Sequence, residues 1–420
     1  MAFSRGDGWA RNGSCVVIPG TPAAMTRFPD GGSSLYAAKR PLLQPVIFFV
    51  IVASVVLAAC GSRLPNQNWP GLTADGDRVY VAYGAGVAAV DIVERRLLWT
   101  FPEELSSGLL FFAAPSVSEE RIVFGDFGAS QGFFSPGRTV TVYALENDPG
   151  ASAPGILWTR DDIAHDRIIA SPAQASSQVF VGTADNRVYA LDASTGELQW
   201  EFQTEHSIWA QPLYHDEVVY AASLDDTLYA LNAETGDELW RATFAGSIAS
   251  QPALTEGILY VPSFDRQLHA LAADSGEELW AADAANWVWG SPTVGNGTVF
   301  FGDISGNIFA LDAETGETVW EAKAAGAIQN SPLYADGALF VASGETGGEE
   351  EEIIRGQLLA LDASDGSELW RRETAGPVFT RPVLVNGSVV VTVLDEGVPT
   401  LVVYDSEDGD QVWDFSLPSE

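Results

Sequence analysis

The sequence predicts an all-β chain folded as an eight-bladed β-propeller of four-stranded antiparallel blades, and three observations predict it. One segment recurs: Leu191-Asp-Ala-Ser-Thr-Gly-Glu-Leu-Gln-Trp200, Leu231-Asn-Ala-Glu-Thr-Gly-Asp-Glu-Leu-Trp240, Leu271-Ala-Ala-Asp-Ser-Gly-Glu-Glu-Leu-Trp280, Leu311-Asp-Ala-Glu-Thr-Gly-Glu-Thr-Val-Trp320 and Leu361-Asp-Ala-Ser-Asp-Gly-Ser-Glu-Leu-Trp370. Weaker copies end at Trp99, Trp158 and Trp413, so eight tryptophans mark eight units, four of them in succession spaced by forty residues. Within a unit, short runs of β-branched and aromatic residues alternate with turn residues, without helical periodicity of useful length. In Val188-Tyr-Ala-Leu191 both alternating faces are apolar, so that strand needs cover on both sides, which neighbouring blades supply. Closure into a ring also protects the sheet edges.

Along the chain, Lys39-Arg40 precede Val46-Ile-Phe-Phe-Val-Ile-Val-Ala-Ser-Val-Val-Leu-Ala-Ala59, an uncharged apolar run of fourteen residues. Fourteen is short for a membrane-spanning helix but fits the hydrophobic region of a signal peptide. The run ends in Leu57-Ala58-Ala59-Cys60, which resembles the bacterial lipobox. That resemblance implies cleavage before Cys60 and acylation of its thiol and new amino group, a stable anchor once two or more chains are attached. Residues 1–59 are therefore expected to be a signal-peptide region, with Met25 as a plausible true start and 1–24 not translated. Residues 60–66 are read as the lipidated cysteine and a linker of about 20 Å when extended, and 67–416 as the propeller. Cys15 and Cys60 are the two cysteines, so the exported body has no disulfide and depends on packing.

The net charge is −36, and from Gly61 onward 16 basic residues face 55 acidic ones. Such an excess repels nucleic acid and anionic lipid surfaces, which are bound by clustered Lys and Arg. Lys39 and Lys323 are the only lysines.

The pattern Ala-Leu-Asp-Ala-x-Thr-Gly-x-x-x-Trp resembles the tryptophan-docking motif of the pyrroloquinoline-quinone (PQQ) propeller family, over roughly Gln67 to Ser416. The resemblance implies that Trp99, Trp158, Trp200, Trp240, Trp280, Trp320, Trp370 and Trp413 pack between adjacent blades near a neighbour's tight turn. Independently, Gly196, Gly236, Gly276, Gly316, Gly366 and Gly409 each stand four residues before a tryptophan, where a turn needs positive φ. Asp192, Asn232, Asp312 and Asp362 are placed to accept hydrogen bonds from turn amides, and one carboxylate per turn is too few for a metal. The first unit has Arg95 in place of the glycine, and the second has Gly155 one residue late.

Strand order assigns faces. The segment leading into each blade and the loop between its second and third strands should share one face, opposite the Thr-Gly turns. Insertions Asp126 to Arg138 and Gly344 to Arg355, the latter with Glu349-Glu350-Glu351-Glu352, decorate that face. The glutamate run is read as a solvated loop, with a cation or a basic partner loop as the alternative. The lead-in segments align on Pro70, Pro115, Pro172, Pro212, Pro252, Pro292, Pro332 and Pro382. Two places earlier stand Asn68, Ala113, Ala170, Ala210, Ser250, Gly290, Asn330 and Thr380, small enough for crowded inner strands. Three places earlier, Phe112, Trp209, Trp289 and Phe379 supply four aromatics, expected at the channel mouth either as a plug or as the candidate partner-binding site.

The histidines, His165, His206, His215 and His269, lack metal-ligand spacing. In the resembled quinoprotein dehydrogenases, PQQ, a calcium ion and often a vicinal disulfide do the chemistry. Here no Cys-Cys pair exists, no haem motif follows, and no PQQ ligand transfers residue by residue, so no cofactor and no enzymatic activity are expected. PQQ-dependent oxidation is the alternative. A lipobox followed by such a propeller resembles in architecture the lipoprotein subunit of the outer-membrane β-barrel assembly machinery. That implies an exported, membrane-anchored scaffold whose partner is an envelope protein or polysaccharide.

Overall fold

The computed structural model describes residues 71–418 apart from 106–107, 131–137, 149, 345–355, 379 and 396. The signal-peptide region, Cys60 and its linker, Gln67–Pro70, the run Glu349–Glu352 and Phe379 lie outside the described residues. No helix occurs among the described residues.

Eight four-stranded antiparallel sheets span residues 71–101, 116–160, 173–203, 213–243, 253–283, 293–323, 333–374 and 383–416. In each the strands lie side by side in chain order, the first innermost and packed beside the first strands of neighbouring blades. Blade three is representative, with strands Ala173–Gln174, Gln178–Thr183, Arg187–Asp192 and Leu198–Gln203. Val188, Tyr189, Ala190 and Leu191 are all buried: Val188 and Ala190 join the cluster toward blade four, Tyr189 and Leu191 the cluster toward blade two. This is the two-sided burial that their unbroken apolar pattern requires. Blade two carries a small ribbon, Ala129–Ser130 paired with Arg138–Thr139, inside its insertion.

Each outer strand pairs with the third strand through a bulge placed so that an alanine stands opposite the tryptophan, as with Ala190 and Trp200 or Ala270 and Trp280. The pattern holds from Ala89 opposite Trp99 through Ala360 opposite Trp370; Val403 opposite Trp413 is the exception. A methyl group across the ladder leaves the indole free to lean toward the next blade. There the Nε1–H of Trp158, Trp200, Trp240, Trp280, Trp320 and Trp370 donates to the carbonyls of Ala193, Ala233, Ala273, Ala313, Ala363 and Ser406, at 2.8–3.3 Å. Each of those carbonyls sits in the turn of the following blade. In two blades a tyrosine of the second strand fills the second lone pair: Tyr220 Oη donates to Ala273 O and Tyr260 Oη to Ala313 O.

The turn glycines complete the joint. Gly196, Gly236, Gly276, Gly316, Gly366 and Gly409 hold φ between 72° and 76°, and a Cβ on any of them would stand 2.5–2.7 Å from the preceding blade's indole. Here glycine meets two demands, a left-handed backbone and the close approach of a ring. Arg95 takes the same backbone position with φ 55°, and Asp91 Oδ1 accepts from Glu94 N to close that turn. Gly155 does not occupy that position; it ends a nine-residue connection between the third and outer strands of blade two.

Asp192 Oδ1 accepts from the amides and hydroxyls of Ser194 and Thr195. Asp312 and Asp362 repeat the arrangement, and Asn232 does so with a neutral oxygen. The Ser194 hydroxyl, with the Thr195 donors, lowers the Asp192 pKa to about 2. The Thr315 amide and hydroxyl lower that of Asp312, and the Ser364 hydroxyl and amide that of Asp362. A carboxylate with a folded-state pKa below its unfolded value of about 3.9 stabilises fully above that value and loses its contribution as pH falls through the folded pKa. A D192N/D312N/D362N variant, copying Asn232, is therefore expected to unfold with a pH-independent offset from the wild type above pH 5. The offset should shift in the variant's favour between pH 4 and 2, as read by thermal melts of both proteins.

The ring closes without an exchanged strand: among the described residues, blade one is built wholly from 71–101 and blade eight wholly from 383–416. Leu72, Val79 and Val81 pack with Val390, Leu401 and Val403 across this seam, and Asn386 Nδ2 donates to Asp77 Oδ1.

Candidate functional site on the loop face

Lead-in segments and second-to-third-strand loops do share a face. Leu224 N donates to Ser207 O, Phe264 N to Ser247 O, and Ile304 N to Trp287 O, tying each loop to the segment that leads into its own blade. Thr204 N to Asn186 O and Phe244 N to Asp226 O bind the same segments to the preceding blade. The face is thus a lattice of backbone bonds, rigid enough to present side chains.

A recurring lock lies beneath it. Tyr143 Oη donates to Asp126 Oδ2, Tyr189 Oη to Asp185 Oδ2 and Tyr229 Oη to Asp225 Oδ2, each 2.9–3.1 Å. Burial pushes the Tyr143 and Tyr229 hydroxyls up to about 12, reinforced by the adjacent carboxylates. Asp126 is fully buried, accepts also from Gly128 N and Thr141 N, and has its pKa raised by desolvation. In blade five His269 replaces the tyrosine, with Nε2 3.0 Å from Asp265 and Nδ1 2.8 Å from Glu278, its ring tilted at 54° against Phe244 with centroids 4.6 Å apart. This histidine completes a structural lock. No group of His, Cys, Asp and Glu able to hold a metal occurs among the described residues.

Among the described residues the four expected aromatics are not gathered in one place. Of the four, Trp209 lines the channel. Phe112 instead meets Phe127 edge-on at 5.0 Å, with the Arg167 guanidinium 5.1 Å from the Phe127 ring. Trp289 packs at 5.0 Å against Phe264, which also stacks on Trp287 at 5.2 Å and 19°. Phe379 is outside the described residues. The reason lies in the loops: at the corresponding position of the loop after the second strand stands Phe264 beside Trp289 but Ala184 beside Trp209, so of these two tryptophans Trp289 is the one with a ring to turn toward. Trp287, 44% exposed, completes a half-open aromatic patch over the junction of blades five and six. Sequence alignment on the prolines missed Trp287 and Phe264, which belong to two different repeats.

The positions two before the prolines are buried near the axis as expected: Ala113, Ala170, Ala210, Asn330 and Thr380. A Cβ on Gly290 would stand 2.1 Å from Asn330 O. The positions immediately before the prolines face a central channel of about 910 Å³. Ser171, Gln211, Gln251, Ser291, Ser331 and Arg381 line it with hydroxyl, amide and guanidinium groups. Gln211 and Gln251 donate to the carbonyls of Pro172 and Pro212 in the preceding blades, and Ser331 Oγ accepts from Ser291 N.

This donor set bears on the quinone cofactor of the resembled enzymes. A hard dication such as calcium takes oxygen ligands, carboxylates foremost, and among the described residues no Asp or Glu lines the channel. The described lining residues do not fit a calcium-bound quinone.

A comparison with curated proteins gives no significant match. Among solved structures, BamB from Moraxella catarrhalis superposes with a TM-score of 0.60 at 18% identity, covering 82% of this chain and 96% of that one. The computationally designed protein Ika8 gives 0.62 at 18%, covering 83% and 97%. A europium-containing methanol dehydrogenase gives 0.56 at 15%, covering 74% and 78%. At these identities the likenesses speak for the fold, which supports both scaffolds and enzymes. The sequence family described as outer membrane protein assembly factor BamB matches over residues 127–213, 206–287, 225–326, 265–354 and 352–420. With that family's repeats recognised from blade two to the C-terminus, the chain belongs to the BamB-type PQQ-repeat propeller family.

Proposed function

We propose that the protein is a non-enzymatic scaffold of the cell envelope, anchored through lipid on Cys60, which holds a partner protein on its loop face. The observation that carries this reading is the division of labour between the faces. Motif tryptophans, glycines and acids are consumed in fastening blades, whereas the loop face holds rings only half covered: Trp209, Trp287 and Trp289. Tryptophans on a rigid frame make favourable anchors, since they bury large area at small entropic cost. The family's assembly-factor description favours a protein over a polysaccharide partner, and the strongly acidic body favours a partner with a basic rim.

The test is affinity purification from native membranes after crosslinking, followed by mass spectrometry. Trp209→Ala combined with Trp287→Ala is expected to abolish capture of an envelope protein with the melting curve unchanged. Glu234→Ala, on the Thr-Gly face, should capture normally. Undiminished capture by the tryptophan variant would overturn the reading. Reconstitution with PQQ and Ca²⁺ is expected to give no dye-linked oxidation of alcohols or sugars, and clear turnover would favour the quinoprotein alternative.

A further inference from the structure

The channel carries a charge pattern opposite to that of the molecule. In a chain of net charge −36, the one ionisable side chain other than a tyrosine among the described residues lining this channel is Arg381. Elsewhere eight arginines sit beside an Asp or Glu. Among the described residues none forms an ion pair or hydrogen bond with Arg381. Arg381 is exposed and lines the channel. The channel wall partly desolvates the guanidinium and lowers its pKa from the ordinary value.

The neighbours complete the picture. Ser291 and Ser331, in the same position of the two preceding blades, line the same space, and Ser331 accepts the Ser291 amide with its oxygen, leaving its O–H to donate. Gln211 and Gln251 each have one amide hydrogen beyond the one given to a proline carbonyl. The wall therefore offers a cation and several neutral donors with no competing carboxylate, in a volume of about 910 Å³, within the size range of small-molecule sites.

We propose that the central channel binds a monoanionic carboxylate at Arg381, supplied by a small organic acid or by the C-terminal end of a peptide entering the channel. A planar carboxylate matches the two-pronged guanidinium. A dianionic phosphate would have a single cation to meet its charge inside a strongly acidic body, so carboxylate is the better match. The channel shares Trp209 with the scaffold reading, but Arg381 is not one of that reading's anchors, so Arg381→Gln and the tryptophan variant let either fail alone.

The test titrates the full chain with butyrate, with N-acetyl-Gly-Gly-Phe as the free acid, and with the same tripeptide as its amide. Calorimetry and the NMR signal of the Arg381 Nε–H provide the readouts. The acids are expected to bind and move that signal, and the amide to do neither. Arg381→Gln should weaken acid binding at least tenfold, about 1.4 kcal/mol, while Arg381→Lys retains part of it. Equal affinity for butyrate and the tripeptide acid assigns the site to free organic acids; tighter tripeptide binding assigns it to a chain end. The proposal is overturned if neither acid moves the Arg381 signal at tens of millimolar, if the amide binds as well as the acid, or if Arg381→Gln binds like the wild type. Should that variant fail to fold, the acid-against-amide comparison on the wild type decides alone.

Discussion

Gly366→Ala is expected to destabilise the propeller by about 2–4 kcal/mol, and most of that loss should disappear when Trp320 is also alanine. The first part combines two costs. At φ 75° an alanine adopts a left-handed conformation, worth roughly 1–2 kcal/mol, and its methyl group would stand 2.7 Å from Trp320 Cδ2 and Cε3. Overpacking of that kind typically adds about 1–3 kcal/mol, because Trp320 is 8% exposed and its Nε1–H is committed to Ala363 O. Trp320→Ala alone should cost about 3–5 kcal/mol. In its background the clash is absent and only the backbone cost of Gly366→Ala remains, so the double-mutant cycle should show coupling of about 1–3 kcal/mol. Gly257→Ala is the control: φ is 78° but nothing lies within 4 Å of its Cβ position, so about 1–2 kcal/mol and no coupling to Trp320 are expected. Chemical denaturation of the set measures all of these. A cycle that sums to zero would mean that the turn and the indole are neighbours without being a joint.

The joint was legible in the sequence because it is local and repeated: the four-residue spacing from Gly366 to Trp370, or from Gly276 to Trp280, survives in every regular unit. Its partner was less legible, since Gly366 meets Trp320 of the blade before and not Trp370 of its own. Arg95 shows another limit. Its φ of 55° is imposed by the blade around it, against the residue's own preference, and local chemistry pointed to an uncertain turn. The candidate site fared worse for the same reason. Alignment on the prolines placed Trp209 at the channel, but Trp289 turns to Phe264 of another repeat, a contact that no spacing within one repeat encodes. Arg381 was visible only as the residue before a proline; its importance depends on seven other blades placing no carboxylate near it among the described residues.

A chain ending at residue 382, lacking blade eight, is expected to lose cooperative unfolding and to bind hydrophobic dyes in native buffer. Two interfaces open at once. Val79, Val81 and Leu72 of blade one lose Val390, Leu401 and Val403, and Phe340, Ala342 and Leu358 of blade seven lose Val389, Val391 and Val402. Residues buried on both sides of a sheet then face water on one side, at about 1.5–3 kcal/mol for each large side chain uncovered, and a handful of them equals the whole stability of an ordinary domain. Loss of mass alone does not explain such a result, and a circular permutant separates the two causes. Joining residue 416 to residue 71 through nine residues copies the nine-residue interval between Thr243 and Ala253, and new termini between Asp283 and Thr293 keep all eight blades. Because each blade is contiguous in the chain and the seam is held by side chains and the Asn386–Asp77 hydrogen bond, this permutant should unfold cooperatively. Hydrogen exchange should then be fastest at the new termini, whereas in the native chain it should be fastest in blades one and eight. A permutant whose fastest exchange stayed in blades one and eight would place the weakness in the sequences of those blades and not in the break between them.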